Sequence, residues 1–103
     1  MYKICFYVPI DFAEQVKNAM FDAGAGKINQ YSCCAWQVLG EGQFVPLEKS
    51  NAFSGTKNQL EKTAEYKIEM VCDEVYILDT ISALKKSHPY EEPAYQVTRV
   101  EHF

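Results

Sequence analysis

The sequence predicts a single α+β domain, an antiparallel sheet with two helices packed on one face. Three observations predict it. Apolar and polar residues alternate along Tyr2–Val8 and Thr63–Cys72, the two-residue period of strands with unlike faces. Two other stretches, Phe12 to Ala23 and Ile77 to Leu84, carry apolar residues at helical offsets. The length, 103 residues, suits one domain spanning the whole chain, 1–103.

In the first strand, Ile4, Phe6 and Val8 share one face, and Lys3, Cys5 and Tyr7 share the other. Asp11 and Glu14 stand three apart, the spacing of a helix N-cap and its reciprocal partner. Phe12, Val16, Ala19, Met20 and Ala23 then form one helix face, and Gly24 and Gly26 supply its stop. Cys33 to Leu39 is almost continuously apolar and reads as a strand covered on both sides. Gly40-Glu41-Gly42 reads as a tight turn into a short strand, Gln43 to Val45, that Pro46 terminates. Residues 46–62 are polar, with no helix or strand pattern. A loop of that length in a small domain is usually functional or mobile.

The strand Thr63–Cys72 turns Tyr66, Ile68, Met70 and Cys72 one way and Glu65, Lys67 and Glu69 the other. Asp73 offers an N-cap, with Glu74 placed against the helix dipole. Ile77, Leu78, Ile81 and Leu84 make the second helix stripe, and Ser87-His88-Pro89 ends it, because the residue before proline avoids the α region. Ala94 to Val100 is the last strand. The order is βαββαβ, the split or ferredoxin-like pattern.

Composition excludes several classes. The apolar share is 48% and the charged share 23%, ordinary for a folded domain. Net charge is −4, and the ten Lys and Arg are scattered, so no basic patch for nucleic acid is evident. The apolar start reaches Pro9 and Asp11 too soon for a signal peptide or membrane span, which leaves the cytoplasm as the expected location. The four cysteines, Cys5, Cys33, Cys34 and Cys72, form no C-x-x-C pair and read as reduced, buried thiols. Trp36, Phe44, Tyr31 and Tyr66 read as core or interface aromatics.

One constellation carries chemistry. His88-Pro89-Tyr90-Glu91-Glu92-Pro93 holds an imidazole, a phenol and two carboxylates between two prolines, which stiffen the loop. Two readings stand side by side. The structural one is a rigid helix-to-strand connection, with His88 capping the helix. The functional one is a ligand or metal site near a subunit boundary. His88, Glu91 and Glu92 would then be ligands for a divalent ion, zinc or copper, completed by Cys33, Cys34 or a neighbouring subunit. Candidate ligand-binding residues are His88, Tyr90, Glu91, Glu92, Tyr31 and Cys33. No nucleophile or second acid–base cluster accompanies them, and no catalytic residue is assigned. In the 46–62 loop, Ala52-Phe53 offers an apolar anchor and Ser54-Gly55-Thr56 offers donors to a small molecule or protein partner. The strand Cys33–Leu39, apolar on both sides, points to a homo-oligomer that covers the open sheet face.

The segment Ser87-His88-Pro89-Tyr90-Glu91-Glu92-Pro93-Ala94-Tyr95 resembles a signature of the insert domain of Nif-three-like proteins (Ngg-interacting factor) and of its stand-alone YqfO-type relatives. Gly24-Ala25-Gly26-Lys27-Ile28 with Tyr31 extends the match. So do Cys33, Trp36, Gly40, Gly42, Phe44 and Pro46, then Gly55, Glu61 and Tyr66-Lys67-Ile68-Glu69. The resemblance covers essentially the whole chain. It implies kinship with the CutA and PII proteins, a subunit that commonly assembles as a trimer, and a mobile recognition loop at 46–62. Family members often have Gly where this chain has Asn29 and Asn58, and Asn tolerates positive φ. Full-length members place a two-metal site on flanking segments rich in His and acids. This chain has only His88 and His102, so the hydrolase-like activity is not carried over. The expectation is a non-enzymatic, oligomeric binding or regulatory module. The alternatives are a divalent-metal-binding CutA-like protein and a hydrolase-related family member.

Overall fold

The computed structural model describes residues 1–103. Strand β1 runs Tyr2–Pro9, helix α1 Ala13–Asp22, β2 Trp36–Phe44, β3 Glu61–Cys72, helix α2 Ile77–Ser87 and β4 Tyr95–Arg99. A single 3-10 turn leads into each helix, Ile10–Phe12 and Glu74–Tyr76. The sheet order is β2-β3-β1-β4, and every neighbouring pair is antiparallel. This is the expected ferredoxin-like arrangement, with β3 inserted between β1 and β2.

The core lies where the alternation predicts. Ile4, Phe6 and Val8 of β1 and Ile68, Met70 and Cys72 of β3 meet Ala13, Val16 and Met20 of α1 and Leu84 of α2. Burying the larger of these side chains contributes roughly 1.5–3 kcal/mol each. Thr80 is also fully buried, its hydroxyl 3.4 Å from the Cys72 thiol. That contact satisfies the one polar group α2 turns inward.

Helix α1 stops as its glycines predict. Gly24 has φ +118°, its N–H donates to the Phe21 carbonyl at 3.0 Å, and the Ala25 N–H donates to the Met20 carbonyl at 3.1 Å. These two bonds are a Schellman motif, and the positive φ is why glycine stands there. The Asp73 carboxylate accepts from the Val75 N–H at 3.0 Å, the expected cap. Asn29 and Asn58 take φ of +52° and +64°, in agreement with the tolerance that lets Asn replace Gly.

Several expectations are corrected. Asp11 caps nothing: it lies inside the 3-10 turn, and neither Pro9 nor Phe12 makes a side-chain cap bond. Glu14 instead pairs with Lys17 at 2.6 Å. The expected strand 33–39, turn 40–42 and strand 43–45 are one continuous β2. Gly40, Glu41 and Gly42 pair with Glu65, Ala64 and Thr63 without interruption. The long partner strand supplies a complete ladder, and that outweighs the turn preference of Gly-x-Gly. Cys33 precedes the strand at φ +56° and is exposed, and Cys34 is half-exposed, so only Cys5 and Cys72 are buried thiols.

The charged face of β1 and β3 lies where the alternation puts it, but the open face as a whole is less apolar than expected. By register, the face away from the helices carries Lys3, Glu65, Lys67 and Glu69, with Lys3 and Lys67 both paired to Glu69. Apolar side chains on that face are concentrated at the edge strand, where Trp36 is 58% and Val38 44% exposed. Trp36 and Tyr31 are therefore surface aromatics of the single chain. Leu78 is exposed as well, off the stripe formed by Ile77, Thr80, Ile81 and Leu84.

Candidate functional site

The two loops singled out in the sequence meet. The chain from Val45 to Leu60 folds back against the Ser87–Pro93 turn, and the Asn51 N–H donates to Glu91 Oε1 at 3.2 Å. The loop has its own bracing. The Asn58 N–H donates to the Pro46 carbonyl at 2.6 Å, Lys57 Nζ to the Glu48 carbonyl at 2.8 Å, and the Asn58 amide to the Glu48 carboxylate. Sequence reading finds no structure here because these bonds are local and aperiodic. Neither hydrophobic period marks them.

Between the loops and the sheet lies a cavity of about 620 Å³, within the usual size for a small-molecule site. The end of β2 supplies Gly42 and Phe44, β1 supplies Tyr7, β3 supplies Glu65, the long loop supplies Phe53, and the His88 turn supplies Tyr90 and Glu92. By register, Tyr7, Gly42, Phe44 and Glu65 belong to the face away from the helices. Three aromatic rings make the wall. Tyr90 lies 6.0 Å from Phe44 and 6.3 Å from Phe53, centroid to centroid. Phe12 holds Phe53 from behind in an edge-on contact at 5.4 Å.

Gly42 has a specific reason to be glycine. A β-carbon there would fall 1.8 Å from Glu65 Oε1, so the carboxylate occupies the space a side chain would fill. Gly40 on the same face meets nothing closer than the Glu65 carbonyl at 4.0 Å.

His88 is the post of the turn. It is 6% exposed. The Tyr90 N–H donates to its Nδ1 at 3.1 Å, so Nε2 carries the proton and donates to the Tyr7 carbonyl at 2.6 Å. The ring is neutral, and burial holds its pKa below the ordinary value, against smaller raising effects of the Tyr7 carbonyl and Glu65. The Tyr90 hydroxyl is buried with no hydrogen-bond partner. Burial first, and then the nearby Glu65 carboxylate, push that phenol well above its usual range. It stays protonated at any ordinary pH and is no base.

Of the six ligand-binding candidates, the structure brings Tyr90, Glu91 and Glu92 to the cavity and places His88 behind it. Tyr31 and Cys33 are not there. Both are exposed, in the turn before β2 where Ile28 and Tyr31 bridge. The metal set His88, Glu91 and Glu92 is not assembled by one chain. No group of three His, Cys, Asp or Glu side chains is positioned to hold an ion, and both His88 nitrogens already hydrogen-bond to backbone. A metal at His88 would have to break one of those bonds. Sequence reading missed Tyr7 and Glu65. Their only signal is a polar residue on a strand face beside two glycines, which becomes meaningful once register is known.

A four-stranded antiparallel sheet with two helices on one face defines a CutA/PII-like ferredoxin fold. The solved structure of the periplasmic divalent cation tolerance protein CutA from Archaeoglobus fulgidus superposes with a TM-score of 0.70 over all of this chain and 87% of its own, at 14% identity, a likeness of fold alone. The sequence is more specific. A Bacillus cereus protein related to NIF3 matches with a TM-score of 0.83 and 38% identity, over 98% of this chain and 26% of its own. A GTP cyclohydrolase 1 type 2 homolog of Bacillus subtilis is 42% identical over 99 residues, 96% of this chain and 26% of its own length. The resemblance to the Nif-three-like domain is thereby shown, and this chain spans about a quarter of the length of the curated relatives it matches. No family model matches the chain. No helix is long and apolar enough to cross a membrane.

Proposed function

We propose that this chain is a non-enzymatic binding or regulatory module of the cytoplasm, that it works as a homo-oligomer with a trimer favoured, and that the cavity beside Tyr90 is its ligand site. One observation carries the reading. Two irregular segments, 45–60 and 88–94, close on the same aromatic cavity. A scaffold that holds its irregular segments around an apolar space is arranged for binding. The relatives' name speaks of a GTP cyclohydrolase. Against carrying that activity to this domain, the cavity wall includes no Lys, Arg or His to meet a triphosphate. Support for assembly comes from edge strand β2, whose Trp36, Val38 and Leu39 are exposed beside an unpaired strand edge.

The test is amide chemical-shift mapping of the protein against a small-molecule library. Binders are expected to shift Phe44, Phe53 and Tyr90 together. Binders that shift only the Tyr31–Trp36 end would reject the cavity as the site. Light scattering at micromolar concentration is expected to return three times the chain mass, and a monomer that persists would reject the assembly.

A further inference from the structure

We infer that the cavity selects a small organic cation, an ammonium group carried on an apolar or aromatic body. The inference rests on reading the cavity as a ligand site and goes further by naming the class of ligand.

Charge carries the argument. Glu65, Glu91 and Glu92 line the cavity, and no cationic side chain does; Glu41 meets its rim, but its pairing with Ala64 turns its side chain to the other face. The ion pairs of this chain are made by Glu14, Glu69 and Glu74, so none of the three cavity carboxylates is neutralised by a salt bridge. Three like charges around one concave space raise a negative potential inside it, focused by the low-dielectric walls. An anionic ligand would enter against that potential. A neutral ligand would leave it unrelieved. A cation is drawn in by it.

The wall chemistry narrows the class. Phe44, Phe53 and Tyr90 stand within 6.0–6.3 Å of one another along the chain of contacts. Aromatic faces attract a cation through the ring quadrupole, and aromatic cages recognise alkylated ammonium groups in this way. A bare metal ion needs converging ligands, and no such group of three exists. The charge therefore has to arrive on an organic body that the rings can enclose. Glu65 is the best-placed carboxylate. It lies flat over Gly42 inside the cavity, in the space a β-carbon would otherwise take.

Calorimetric titration and amide-shift mapping with three probes of one shape test this: phenethylammonium, 2-phenylethanol and phenylacetate. The ammonium is expected to bind about tenfold more tightly than the alcohol, with the carboxylate weakest, and its affinity to fall as salt rises. Glu65→Gln and Glu92→Gln are each expected to weaken the ammonium severalfold and leave the alcohol unchanged. Gly42→Ala, which displaces the Glu65 carboxylate, should act like Glu65→Gln. If the alcohol or the carboxylate binds as tightly as the ammonium, the cation class is rejected while the cavity remains a ligand site. If all three probes leave Phe44, Phe53 and Tyr90 unmoved, the ligand-site reading fails with it.

Discussion

At the scale of single residues, His88 shows how one side chain fastens two segments 81 positions apart. Its Nδ1 accepts from Tyr90 and its Nε2 donates to Tyr7, so only the neutral ring satisfies both bonds. Burial depresses its folded-state pKa below the unfolded value of about 6.5. The sign follows from proton binding. Between the two values the unfolded chain binds the extra proton, so stability rises with pH there. The contribution is whole above about pH 6.5 and is lost as pH falls through the folded-state value. Urea unfolding of the protein is therefore expected to weaken from pH 7.5 to pH 5.5. In His88→Gln, which keeps polar ends but does not titrate, that slope should largely vanish. An equal slope in the variant would place the titrating group elsewhere. The structural reading of His88 as a cap was legible in Ser-His-Pro. Its partner Tyr7 was not, because only the fold brings the end of β1 to that turn.

At the scale of elements, glycine tells two different stories. Gly24 ends α1 at positive φ, and a β-carbon there would lie 2.5 Å from the Tyr76 ring. Gly24→Ala is expected to cost about 2 kcal/mol in denaturant unfolding, from strain and collision together. Gly40 sits mid-strand with open space above it. Gly40→Ala should be neutral or stabilise by up to about 1 kcal/mol, since alanine loses less entropy in a strand. A destabilisation as large as that of Gly24→Ala would mean the space over Gly40 is filled in solution. From sequence alone both glycines read as punctuation. Gly24 is, because a helix end needs its φ. Gly40 and Gly42 are not, because β3 offers a ladder that runs straight past them.

At the scale of the molecule, the sheet leaves its two edge strands, β2 and β4, and one face without cover. The open face carries Lys3, Glu65, Lys67 and Glu69, and its exposed apolar groups cluster on β2, so the expected contact between copies narrows from a whole face to the β2 edge. Trp36→Glu, which puts a charge on that edge without touching the core, is expected to shift the light-scattering mass toward the single chain while thermal unfolding stays cooperative. An unchanged mass would move the interface away from β2. The cavity lies at the opposite end of β2 from Trp36, near Phe44 and Gly42, so the edge and the site are tested by separate variants.

The sequence by itself determined the element order, the buried stripes of β1, β3 and α1, the stop at Gly24 and the end of α2 before Pro89. These are legible because each rests on a local period or a local φ preference that neighbours along the chain suffice to state. Only the tertiary structure decided that residues 33–45 contain one strand and no turn, that Tyr31 and Cys33 stand apart from Tyr90, and that Glu65 lies over Gly42 inside an aromatic cavity. Those features depend on cross-strand register and on two distant loops closing over one sheet end. Such contacts join residues that no periodicity along the chain relates.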